Sequence, residues 1–133
     1  SYLKAKGVNP QHLTTDQKIA YAKSGAFLKW KAQHMHEETI DEAKKLAQIC
    51  AINCLAAVET VVDVNKIVKV VRVVGYVNGI PGFITQPAVV NGASELFLHI
   101  WGEAGKHARS AVGIAELPLN APVEIELTVE IAD

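Results

Sequence analysis

The twelve residues from Lys66 to Val77, KIVKVVRVVGYV, limit the fold more than any other stretch. Six of them are valine, and β-branched side chains favour a pleated strand over a helix. The run is apolar at odd and even positions alike, the pattern of a strand covered on both faces. A chain of 133 residues forms one domain by default and has few ways to cover both faces. Contact with further copies of the chain is therefore expected to supply part of the cover. Lys69 and Arg72 interrupt the run and mark an edge, a bulge or an ion pair.

The flanking segments say what packs on this strand. Over Glu37–Val62, Thr39 and Glu42 have the spacing of a capping box. Ile40, Ala43, Ala47, Cys50, Cys54, Val58 and Val61 recur at steps of three or four, so the spacing predicts a helix with one buried face. A second helix is predicted from about Pro87, which suits a first turn, through Val90, Ala93, Phe97, Ile100 and Ala104, with Gly105 placed to end it. His107–Ala115 reads as a strand, Leu117–Pro122 as a turn, and Val123–Ile131 as a strand with one wet face, because its apolar residues alternate with Glu124, Glu126, Thr128 and Glu130. Ahead of the first helix, Ile19–Trp30 reads as a hairpin around Ser24-Gly25, and Ser1–Asp16 has no strong period. The order predicts a single α+β domain over residues 1–133, a mixed sheet with two helices packed on one face.

Composition excludes several functions. Thirteen basic and fourteen acidic residues leave a net charge of −1, which gives no electrostatic drive toward nucleic acid. No apolar run approaches the ~18–20 residues of a membrane span, and Ser1–Pro10 lacks the apolar stretch of a signal peptide, so a soluble cytoplasmic protein is expected. Cys50 and Cys54 stack on one face of a predicted helix, where thiols pack as small apolar groups; joining a metal site is the other reading. His34, His36, Glu37 and Glu38 read as a polar loop before a helix, since the third and fourth ligands of a zinc site do not follow at the usual spacing. His12, His99 and His107 are scattered, and nothing in their spacing assigns them a role. No metal is expected.

Eleven of the thirteen basic residues are lysine, so Arg72 and Arg109 each call for a reason. Arg109 opens one predicted strand and Glu124 opens another, with a Pro/Asn turn between them. Two readings follow if those strands are neighbours. One is a cross-strand ion pair, worth little where exposed. The other is a guanidinium fork holding a substrate carboxylate while Glu124 handles water or protons.

Four segments carry a resemblance: AINCL at Ala51–Leu55, VVGYVNGIPGF at Val73–Phe83, QPAVVNGASELF at Gln86–Phe97, and GEAGKHARSAVGIAELPLNAPVEIE at Gly102–Glu126. The stretch from Ala51 to Val129 resembles the Rid superfamily (reactive intermediate deaminases, also called YjgF-like or endoribonuclease L-PSP proteins), especially its chorismate-mutase-like subgroup. The resemblance implies a homotrimer whose sheets meet in a central barrel, with ligand clefts between subunits. It also implies that Arg109 binds the carboxylate of an imine or enamine, that Glu124 positions the attacking water, and that Asn91 lies near the same cleft. Deaminating members hydrolyse 2-aminoacrylate-type intermediates to a 2-keto acid and ammonia, without metal or cofactor. Ala111 stands where many of them have cysteine, and Lys31-Ala32-Gln33 stands where Ser-Gly-Gln is usual. The region of about residues 1–36 reads as divergent and shortened. The expected activity is imine/enamine hydrolysis; the alternative is a trimeric protein that binds a small carboxylate without turnover.

Overall fold

The computed structural model describes residues 38–133, together with 14, 16, 17 and 20. Apart from Ala20, the hairpin read in Ile19–Trp30 lies outside the described residues, as do Lys31-Ala32-Gln33 and, of the polar cluster, His34, His36 and Glu37, while Glu38 is described. The chain divides into two units, Ser1–Glu37 and Glu38–Asp133. In the first, the Thr14 hydroxyl accepts from the Gln17 N–H at 3.2 Å and the Gln17 side-chain oxygen accepts from the Thr14 N–H at 2.9 Å, a reciprocal capping box.

In the second unit, α1 runs over Glu38–Glu59. Thr39 therefore lies inside the helix and not at its cap. Ala47 and Ala51 are fully buried on the predicted face, and Ala43, Cys50 and Cys54 pack against the core. Val61, read as part of that face, falls beyond the last turn and is 86% exposed.

The valine-rich run forms β1, Ile67–Val77. Among the described residues it is the central strand of a three-stranded sheet, between the parallel β2, Ala108–Gly113, and the antiparallel β3, Val123–Ile131. Pairing with β3 slips between Ile67 and Lys69 and again between Val70 and Arg72. Such bulges break the strict inside-outside alternation, which is why Lys69 and Arg72 can interrupt an apolar strand and stay exposed. Val70, Val73 and Val77 face the core, whereas Val68 and Val71 are 46% and 40% exposed. Cover of both faces is thus incomplete among the described residues.

Parallel strands need a crossover, and α2, Gln86–Trp101, supplies it between β1 and β2. Pro87 sits in its first turn as expected. The α-helix stops at Gly102, whose φ of 56° suits glycine; the chain continues as a 3-10 turn to Gly105, where a side chain would collide with the Phe97 carbonyl. Ile100 is exposed, while Val89, Val90, Ala93 and Phe97 are fully buried. Gly75 lets β1 approach α2, since a Cβ there would lie inside the Val90 side chain, and Gly92 lets α2 approach α1, since its Cβ would overlap the Lys44 carbonyl.

Helix α1 also closes one edge of the sheet. The Asn78 N–H to Pro122 carbonyl bond of 2.9 Å puts the even-numbered residues of β3 in the hydrogen-bonded pairs, so the odd-numbered carbonyls point away from β1. Two of these accept from thiols of α1: Cys50 Sγ lies 3.7 Å from the Val123 oxygen and Cys54 Sγ 3.4 Å from the Ile125 oxygen. Desolvation raises the pKa of both thiols above the ordinary 9.0, which keeps them protonated and able to donate.

Candidate functional site

Arg109 pairs with Val73 across the β1–β2 ladder. Directly opposite residues share a face, and Val73 is fully buried under the helices, so Arg109 projects to the helix side of the sheet. There its Nη1 donates to Asn91 Oδ1 at 2.7 Å and to Ser94 Oγ at 3.2 Å. Asn91 and Ser94 are three apart in α2 and so lie on one face of it. Two acceptors suffice to engage both N–H groups of Nη1. Among the described residues, Nε and Nη2 have no hydrogen-bond partner and Arg109 has no ion-pair partner. These two nitrogens form one edge of the guanidinium, a pair of parallel donors that matches a carboxylate.

Behind Ser94 stands His107. Its Nε2 lies 2.9 Å from Ser94 Oγ and its Nδ1 lies 2.6 Å from the Gly105 carbonyl. The ring meets Phe97 edge-on, with centroids 6.1 Å apart and an interplanar angle of 86°. Ser94 is only 8% exposed, so this chain of polar groups runs from the interior to the Arg109 fork.

Glu124 does not belong to this group within one chain. The reading of its strand and that of Arg109 as neighbours is corrected by the sheet order: β1 lies between β2 and β3. Glu124 pairs with Tyr76, three residues on from Val73 and therefore on the other face. Two strand spacings, about 9.6 Å, and the thickness of the sheet separate it from Arg109. Glu124 shares that second face with Glu126, which accepts from the Tyr76 hydroxyl at 3.3 Å. The nearby Glu126 charge, first among several causes, pushes the Tyr76 hydroxyl above its ordinary 10.0.

The structure thus brings Arg109 and Asn91 together and leaves Glu124 apart. It adds Ser94 and His107, which the sequence reading left without a role. The available signals were the three-residue step from Asn91 to Ser94 and the two-residue step from His107 to Arg109, each too common to single out a site. Among the described residues, no three His, Cys, Asp or Glu side chains gather as a metal site, and no helix is long and apolar enough to cross a membrane.

Comparison with known proteins shows one family through its model. Residues 3–131 match the family model described as "YjgF/chorismate mutase-like, putative endoribonuclease". Protein TCP17 of Trypanosoma cruzi is 39% identical over 95 residues, 70% of this chain and 59% of that protein. Among solved structures, protein Atu1372 of Agrobacterium tumefaciens, of unknown function, superposes with a TM-score of 0.68 at 44% identity, covering 71% of this chain and 61% of that one. A "putative endoribonuclease" from Shewanella oneidensis gives a TM-score of 0.66 at 28% identity, with 72% and 64% covered. This chain spans less than two thirds of the length of each of the three.

Proposed function

This chain belongs to the YjgF/chorismate-mutase-like family, and on that premise we propose that it binds a small carboxylate at Arg109 and, as a trimer, hydrolyses imines or enamines of the 2-aminoacrylate type. The observation that supports the reading is the Arg109 fork: a guanidinium with Nη1 held by Asn91 and Ser94 and with Nε and Nη2 unpartnered among the described residues. The carboxylate of a 2-imino acid docks on that edge, leaving its C2 carbon displaced toward solvent. An enamine first takes a proton at C3 and releases one from nitrogen to become the imine. Water then adds to C2, the proton it loses passes to nitrogen, and the carbinolamine gives up its hydroxyl proton as ammonia leaves, so that the product is a 2-keto acid. No electron donor or acceptor is required, and a carboxylate that orients water and takes its proton is enough to assist. In this reading Glu124 fills that role from a second subunit, because within one chain it lies across the sheet from Arg109. Val112, which pairs with Tyr76 on the second face, and Val68 and Val71 at the two bulges are exposed and supply apolar surface for the trimer contact.

The same separation of Glu124 favours a second reading, a carboxylate-binding protein without turnover. Ribonucleolytic activity has less support, since a net charge of −1 offers no electrostatic footprint for a phosphate backbone. The deciding experiment generates 2-iminopropionate or 2-iminobutyrate enzymatically and follows keto acid release with the wild type and Arg109→Ala. Acceleration by the wild type alone is expected. No acceleration by either leaves only the binding reading.

A further inference from the structure

In the neutral imidazole, the hydrogen-bond directions behind Arg109 follow from one backbone carbonyl. The Gly105 oxygen can only accept, so His107 Nδ1, 2.6 Å away, carries the proton. A neutral ring then presents Nε2 as an acceptor, and Ser94 Oγ, 2.9 Å away, donates to it. With its proton committed to His107, the Ser94 oxygen turns its lone pairs to Arg109 Nη1 at 3.2 Å. The ring has little room to choose otherwise. Phe97 packs edge-on against it, and Gly105 sits so close to the Phe97 carbonyl that no side chain fits there. Without an acceptor at Nε2, a serine within a helix turns its hydroxyl back to the carbonyl four residues earlier, and its lone pairs move with it.

We infer that His107 is a positioning residue for the Arg109 site: through the Ser94 hydroxyl it fixes Nη1 and thereby aims the Nε–Nη2 edge at the ligand carboxylate. The role rests on the proposed carboxylate binding, but its mechanical part belongs to the free protein. His107 touches neither the ligand nor the reacting atoms. It acts by holding one proton, which leaves the guanidinium edge preorganised and lowers the ordering cost of binding.

The test uses the full chain and two readouts. Nitrogen-resolved spectra of the imidazole are expected to show the Nδ1–H tautomer, and the Arg109 Nη signals are expected to be resolved in the wild type and averaged in Ser94→Ala and His107→Leu. Calorimetric titration with pyruvate is expected to show about five-fold weaker binding in both variants, the loss of one hydrogen bond's net contribution. His107→Gln, whose amide oxygen can accept from Ser94, is expected to stay within about two-fold of the wild type, a rescue that mere packing would not produce. An Nε2–H tautomer would overturn the inference. So would unchanged Arg109 signals in Ser94→Ala, a variant that removes one oxygen and is expected to fold. If the wild type binds no pyruvate, the proposed function fails, and the imidazole and guanidinium spectra still decide the positioning role.

Discussion

Replacing Gly92 with alanine sets two well-known effects against each other at the point where α2 carries the Arg109 acceptors. In an exposed helix the change is stabilising by about 1 kcal/mol, because glycine is a poor helix former. Here the new methyl carbon would lie 1.9 Å from the Lys44 carbonyl oxygen and 2.8 Å from its carbon. Neither atom belongs to a flexible side chain, so relief requires α1 and α2 to part by about 1.5 Å to restore ordinary contact. The move would loosen Ala47, Ala51 and Ala93, all fully buried. Overpacking costs about 1–3 kcal/mol, and against backbone atoms that cannot rotate away the upper end applies, which leaves a net loss of about 2 kcal/mol after the propensity gain. A melting temperature lower by about 4–12 °C is expected by calorimetry. Because Gly92 lies between Asn91 and Ser94, pyruvate binding is expected to weaken as well. A variant that melts at or above the wild-type temperature would refute the close approach of the two helices.

Burial of Cys50 and Cys54 makes two expectations. Both thiols react with a disulfide reagent far more slowly in the native protein than in denaturant; equal rates would show that α1 does not cover the β3 edge. Their raised folded pKa values keep both states protonated below the ordinary 9.0. Above it the unfolded chain releases protons first, so stability falls as pH rises from about 9. Replacing both cysteines with alanine removes that part of the alkaline loss, as pH-dependent melting would show. For the assembly, light scattering at micromolar concentration is expected to return a trimer; a stable monomer would leave Arg109 without a carboxylate from Glu124 and remove catalysis from the proposal.

The fold was legible where one physical signal dominated. Strict alternation fixed β3 to its observed ends, Val123 and Ile131, and apolar steps of three and four picked out Val90, Ala93 and Phe97 as the buried face of α2. Boundaries slipped where several residues serve equally well: Gly102 stops α2 although Gly105 has the same chemistry, and Thr39 lies within α1 despite its capping spacing. The strands that carry Arg109 and Glu124 were misread as neighbours because a Pro/Asn turn suggests a hairpin, whereas the chain from Gly113 to Val123 passes the end of β1 to reach its far edge. Arg109 stood out because arginine is scarce here, and Asn91 through family resemblance. Ser94 and His107 are thirteen residues apart and meet only when α2 folds back on β2, a closure that no local period records.

The most direct test of the Arg109 site is calorimetric titration of pyruvate or 2-oxobutyrate into the wild type and Arg109→Lys, with melting curves for both. Lysine keeps the charge but cannot reproduce two parallel donors held by Asn91 and Ser94. A loss of at least about ten-fold in affinity, the scale of one charge-assisted hydrogen bond, with a melting temperature close to the wild type, is the expected result. Equal affinity in the two proteins would contradict the guanidinium fork as the carboxylate anchor.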